Sequence, residues 1–227
     1  MGKELIGKGR YGELGNDVPA FLPSNTQKIV ANSERIKFQK KTIILCSPTS
    51  EDMRKCLKEG YKNKFYKMFF PPLGLTLVGQ NLINAGYDVR FFDGNFTGKY
   101  KKDLIEDVIN NQQSLAYVGF YLSILQIQDF FELGIKIKDI NSNIPIVVGG
   151  PFPQVFPNKV MESELIDIAC IGDGAEPSVL IADHYNKKCD LQDIPNICFK
   201  ENDNLVTKCR THRDTLNNEN FIRYDNF

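Results

Sequence analysis

The chain has 227 residues, with 28 Lys plus Arg against 28 Asp plus Glu, 42% hydrophobic and 25% charged residues. Those proportions are of a soluble globular protein of one domain with additions, and the even charge balance offers no global attraction to nucleic acid or an anionic membrane. No apolar run approaches a membrane span and residues 1–10 lack an apolar leader core, so a cytoplasmic protein is expected.

Residues 1–40 carry Gly2, Gly7, Gly9, Gly12 and Gly15, which break any period, and are read as an extension to the main domain. From Lys41 the pattern sharpens. Residues 42–47 are a nearly continuous apolar run, as expected for a strand covered on both faces. The polar connection at 48–70, with Arg54, Lys55, Lys58, Lys62, Lys64 and Lys67, is read as a solvated helix or flap rather than a phosphate patch. A helix is predicted over 71–86, opened by Pro71 and Pro72 and closed by Gly86. Strand 87–93, helix 101–111, strand 114–121 and helix 125–140 follow by the same logic. Next come strand 144–148, a helix near 156–164, strand 165–171 and a helix over about 175–187. Residues 196–200 and 205–208 form a small hairpin around Glu201, Asn202, Asp203 and Asn204.

Five strands alternating with helices predict an α/β fold: a doubly wound five-stranded parallel sheet, Rossmann-like or flavodoxin-like, with an N-terminal arm and a C-terminal hairpin. The expected order is 2-1-3-4-5, with the switch point between the first and third strands. The domain limits read from this pattern are 1–40, 41–190 and 191–227.

In such sheets ligands sit at the carboxyl edge. There this chain places Ser47 and Pro48, then Asp93-Gly94-Asn95, then Leu122-Ser123-Ile124-Leu125, then Gly149-Gly150-Pro151, then Gly172-Asp173-Gly174-Ala175-Glu176. The set is small, polar or glycine-rich, and makes a broad, mostly neutral crevice. Neither G-x-G-x-x-G nor G-x-x-x-x-G-K-[ST] follows the first strand, so the common nucleotide fingerprints are missing. No acidic residue ends the third strand, as a receiver-type phosphorylation site would require. Of the six cysteines, Cys46 and Cys170 read as core residues. Cys189, Cys198 and Cys209 are too widely spaced for a compact metal motif.

The order of these edge motifs resembles the cobalamin-binding domains of the methionine-synthase type, which carry D-x-H-x-x-G, S-x-L and G-G after successive strands. Here Asp93 through Gly98, Ser123 through Leu125, and Gly149-Gly150 match, except that Asn95 stands in the place of the cobalt-ligating histidine. An amide is a poor cobalt ligand beside imidazole, so the resemblance implies cobalamin bound without a histidine below the metal. Pro71-Pro72-Leu73-Gly74, Ala85 through Val89, Val148 through Pro151, and Gly172 through Glu176 are similar to the amino-terminal domain of cobalamin-dependent radical SAM enzymes. Residues 194–197 and 221–227 look like the linker those enzymes place before their barrel.

By that resemblance Ser123 hydrogen-bonds the nucleotide tail, Gly149 and Gly150 let it pass, and Leu125 packs beneath the ring. Ser47, Pro72, Leu73, Asp93, Asn95, Pro151, Gly172, Gly174 and Glu176 complete the implied cofactor set. From the residues alone, Ser123 serves equally as a helix cap, and Asp173 and Glu176 as charges favoured at a helix start. Asp93 reads equally as a loop brace, and Phe152 and Phe156 as core rather than ring shields. No C-x-x-x-C-x-x-C spacing occurs, so the iron–sulfur cluster and S-adenosylmethionine are expected on a further radical SAM domain, in cis or in trans. Two other readings stay open: a cofactor-free interaction module, and a nucleotide site at Gly172 through Glu176.

Overall fold

The central strand is β1, Thr42–Ser47, and every one of its residues is buried. Ile43 and Leu45 point into one core cluster while Ile44 and Cys46 point into the other. This is why the run is apolar without alternation: both sheet faces are covered by helices. The structure, a computed structural model, describes residues 40–49, 72–94 and 100–208. The predicted arm before residue 40, most of the basic connection, Asn95 and the segment from 209 onward lie outside the described residues.

The elements run β1, α1 (Leu73–Asn84), β2 (Asp88–Asp93), α2 (Tyr100–Asn111), β3 (Leu115–Tyr121), α3 (Ile127–Ile140) and β4 (Ile146–Gly149). They continue with α4 (Pro151–Val155), α5 (Pro157–Met161), β5 (Ile168–Cys170), α6 (Ala175–Tyr185), β6 (Ile197–Glu201) and β7 (Asn204–Thr207). The sheet order is β2-β1-β3-β4-β5-β6-β7. The first five strands pair in parallel in the expected order, with the switch point between β1 and β3.

The sheet has seven strands rather than five. The hairpin joins it, with β6 antiparallel to β5 through Ile168 opposite Phe199 and Cys170 opposite Ile197. Its turn residues Asn202 and Asp203 have φ of 50° and 64°, the left-handed pair that a two-residue hairpin turn demands. Alternation in 196–208 revealed the strands, but a sheet partner is a tertiary property.

The predicted helix near 156–164 also differs. Two short helices form instead, each opening on proline, Pro151 and Pro157, at its first position. The φ of −126° at Phe156 breaks the path between them. The end of α1 follows the sequence: Gly86 has φ 91°, and Tyr87 N–H donates to Leu82 O at 3.0 Å, closing the helix on a left-handed glycine. Tyr87 then ties this end to α6, its hydroxyl donating to Asp183 Oδ1 at 2.6 Å.

Candidate functional site

Between the sheet and the pair α1 and α6 lies a cavity of about 210 Å³, open at the carboxyl edge. It exists because two strands, β3 and β4, withhold side chains on this face. On this face β3 presents Tyr117, then Gly119, then Tyr121, while β4 presents Val147 and then Gly149. Gly119 pairs in register with Leu45 on one side and Val147 on the other, so its bare Cα sits mid-sheet. A Cβ there would fall 2.9 Å from Leu45 Cδ2 and 3.2 Å from Tyr117 Cε2. Those two side chains fill the floor, and glycine is the residue that lets them.

Gly149 and Gly150 do different work. A Cβ on Gly149 meets only Cys170 Cβ, at 3.6 Å, an ordinary contact, so this position keeps the cavity wall open without being strained. Gly150 has φ 104° and ψ −169°, a conformation essentially reserved for glycine. A Cβ on it would lie 3.1 Å from Leu122 O and 3.0 Å from the Tyr121 ring. The turn is held against the end of β3 by Leu122 N–H to Gly149 O at 2.7 Å and Phe152 N–H to Leu122 O at 3.0 Å. Gly150 therefore shapes the turn, and Gly149 leaves the room.

The opposite wall comes from the helices. Gly74, Leu75 and Val78 of α1 face Ser178 of α6, and Gly172 and Gly174 line the passage between β5 and α6. Two hydroxyl protons on these walls are already used. Tyr117 donates to Ser178 O at 3.2 Å, and Ser178 Oγ donates to Ala175 O at 2.9 Å. Burial pushes the Cys170 thiol up to about 12, so it lines the cavity as a neutral group. Asp173, exposed, accepts from Ala175 N–H at 2.9 Å as a brace for the first turn of α6, and Glu176 sits exposed in that turn. Two carboxylates there disfavour a phosphate, which weakens the nucleotide reading.

A separate polar brace supports the other half of the edge. Gln126, buried, donates from Nε2 to Pro48 O at 2.9 Å and Ser47 Oγ at 3.4 Å, and its Oε1 accepts from Ser123 N–H at 2.9 Å. It ties the loops after β1 and β3 into one platform. Gly94 N–H donates to Ser47 O at 2.9 Å, and a Cβ on Gly94 would fall 2.7 Å from Thr49 N, so the loop after β2 presses tightly on the loop after β1. Tyr100, fully buried, locks the same place: its hydroxyl accepts from Thr49 N–H at 3.0 Å and donates to Thr49 O at 3.1 Å. Asp93 ends β2 beside this brace, half-buried.

Of the residues named from sequence, Gly149, Gly150, Gly172 and Gly174 come together on the cavity wall. Ser47 and Ser123 meet through Gln126, outside the cavity lining. Pro72, Leu73, Leu125 and Pro151 lie at element starts on the edge, with Leu73 and Leu125 exposed at 55% and 66%. Beside Leu125, Ile124 is 69% exposed, so the rim carries unusually bare aliphatics. Phe152 packs partly on the core, and Phe156 is exposed. Sequence reasoning missed Gly119, although a glycine inside a strand marks close approach of another group. It also missed Gln126, which stands three residues after Ser123 in the spacing of a capping box.

An open α/β sheet whose carboxyl edge opens into an apolar, glycine-relieved slot has room for a flat, uncharged group beside its strands. The B12 binding domain model matches residues 66–182, over half the chain, and the chain belongs to that family, whose cofactor is cobalamin. It is 29% identical over 138 residues to the anaerobic magnesium-protoporphyrin IX monomethyl ester cyclase of Synechocystis, covering 60% of this chain and 28% of that protein. It is 26% identical over 133 residues to an uncharacterized methyltransferase of Pyrococcus horikoshii, covering 58% of this chain and 28% of the other.

Among solved structures the fold matches the cobalamin-dependent S-adenosylmethionine radical enzyme OxsB, with aqua-cobalamin and S-adenosylmethionine bound. The TM-score is 0.61 at 16% identity, covering 78% of this chain and 23% of that one. It also matches the radical S-adenosylmethionine methyltransferase TsrM of Kitasatospora setae, at TM-score 0.58 and 16% identity, covering 77% and 30%. The chain thus spans under a third of the length of these proteins. The resemblance drawn from the edge motifs and the parallel strand order agree with these findings. Among the described residues no helix is long and apolar enough to cross a membrane.

Proposed function

We propose that this chain holds cobalamin with the lower nucleotide detached from cobalt and buried in the cavity, as the cofactor-carrying part of a larger radical SAM enzyme. The observation that carries the reading is the cavity itself. At about 210 Å³ and apolar, it exceeds the roughly 150 Å³ that a dry protein cavity needs to hold a benzene ring, so a fused bicyclic base fits. The chain's own residues bind and orient: Gly119 and Gly149 leave the slot, Gly150 sets its turn, and the exposed Leu73, Ile124 and Leu125 offer an apolar rest for a large ring.

Asn95, in the place of the usual histidine, supports a cobalt without a protein imidazole beneath it. Bound there, cobalamin would supply methyl-carrying chemistry. The cluster and S-adenosylmethionine belong to a separate catalytic domain, in cis or in trans. In this reading residues 41–190 form the cofactor domain, and the β6–β7 hairpin extends its sheet.

The test is an absorbance titration with hydroxocobalamin. Saturable binding with the spectrum of a detached base is expected, and Asn95→Ala is expected to retain it. Absence of binding refutes the assignment and favours an interaction module of the same fold; loss on Asn95→Ala refutes the ligand reading.

A further inference from the structure

We infer that the helix layer across the sheet from the cavity carries a self-complementary docking face, and that its occupant is a second copy of this chain. The face sets a hole and a protrusion side by side. The hole, of about 240 Å³, opens between α3 and the pair α4 and α5. Phe130 and Phe131 wall it on one side, Phe152, Val160 and Ile166 on the other, and Lys159 and Ser163 are its polar lining. It exceeds the roughly 150 Å³ that admits a benzene ring, so one phenyl side chain fits.

Phe156, at the break between α4 and α5, is the protrusion. Its ring is exposed and lies 5.6 Å from that of Phe152, which lines the hole. Its backbone is fixed from both sides: its N–H donates to Phe152 O at 2.9 Å, and its carbonyl accepts from Val160 N–H at 3.0 Å. A stiff aromatic beside a hole for an aromatic suits a two-fold interface, because each copy then presents both halves of the contact.

Area and charge point to the same occupant. Phe131 and Ile135, one turn apart on α3, and Val155 beside Phe156 widen the patch, and with Phe156 they are between 40% and 64% exposed. At about 150–200 Å² per side chain they leave roughly 300–400 Å² of bare apolar surface, the size that marks an interaction site. Interfaces are a little over half apolar, so the patch implies about 500–700 Å² buried per copy, which suits a dimer of micromolar strength. The charges flanking the hole are paired within one copy, Lys136 with Glu132 at 2.8 Å and Lys159 with Glu162 at 2.5 Å. A facing copy therefore meets no net charge there, and a strongly acidic or basic partner finds no opposing field. Phe130 and Val160 belong to the core cluster on this side of the sheet, whereas Val147 and Cys170 of the cavity belong to the other. A second copy thus leaves both cavities open.

Sedimentation equilibrium of the full chain is the test. A monomer–dimer equilibrium with a micromolar midpoint is expected, and a chain still monomeric at millimolar concentration overturns the proposal. Phe156→Ala removes the protrusion, and Ser163→Leu narrows the hole. Losing a buried aromatic anchor weakens association at least about tenfold, and the two-fold axis imposes the loss twice, so each variant alone should dimerise about a hundredfold more weakly. Mixed, the two should recover about tenfold, because one copy keeps its phenylalanine and the other its hole. Wild-type dimerisation in Phe156→Ala, or a mixture no stronger than its components, overturns the assignment. Phe156 is exposed, so its variant should keep the wild-type melting temperature and decides the question even where Ser163→Leu folds poorly. Neither cobalamin nor cobinamide, its tailless form, should shift the equilibrium; a shift with either would place the interface at the cavity and overturn the face assigned here.

Discussion

Replacing Gly149 by valine tests whether the cavity holds the nucleotide tail. The site tolerates a side chain structurally, since the nearest atom to an added Cβ is Cys170 Cβ at 3.6 Å. Valine adds three carbon groups, each taking about the 30 Å³ that a water occupies. A cavity of about 210 Å³ then shrinks to roughly 120 Å³, below the roughly 150 Å³ that admits a benzene ring. A buried aromatic group covers about 150–250 Å², and at about 25 cal/mol per Å² its transfer is worth about 4–6 kcal/mol. Local relaxation recovers part of that loss. We therefore expect cobalamin affinity to fall at least a hundredfold, about 2.8 kcal/mol. Titration by absorbance with cobalamin and cobinamide in parallel separates the causes. Cobinamide binding should match the wild-type chain, because the ring rests on the rim and not in the slot. Wild-type cobalamin affinity in Gly149→Val would refute the reasoning outright.

Gly150→Ala should act on the fold as well as the site. Its φ of 104° and a Cβ 3.1 Å from Leu122 O predict a stability loss of about 1–3 kcal/mol, readable as a lower urea midpoint with unchanged slope. Gln126→Leu removes the brace between the loops after β1 and β3 and leaves Pro48 O and Ser123 N–H without their partner, so a loss of about 1–3 kcal/mol is expected by the same measurement. Gly119→Leu should be costlier than Gly149→Val despite similar chemistry, because Leu45 Cδ2 stands 2.9 Å from the new Cβ; comparing their melting temperatures checks this. Burial raises the thiols of Cys46 and Cys170, Cys170 to about 12, and likewise the Tyr117 and Tyr185 hydroxyls. Folded groups then keep protons that the unfolded chain releases above about pH 9, so stability falls as pH rises from 9 toward 12. Melting temperatures at pH 8 and pH 10.5 should differ in that sense, and a flat profile would contradict the burial.

Much of this was written locally along the chain. The apolar runs at 42–47 and 114–121, the proline and glycine brackets of α1 and the glycines after β4 follow from backbone sterics and the period of each element, which neighbouring residues set. That β6 and β7 extend the sheet required a partner strand, and pairing across such distance leaves no local mark. The same holds for the cavity. Gly119, Gly149, Cys170 and Val78 are scattered in sequence, and only the register of β3, β4 and β5 under α1 brings their missing or small side chains into one void. Sequence alone determined which strand ends carry glycine and that the edge is mostly neutral. Tertiary structure decided which bare positions are turn geometry, as at Gly150, and which are empty space, as at Gly149, because a void belongs to the atoms around it rather than to the residue that lacks them.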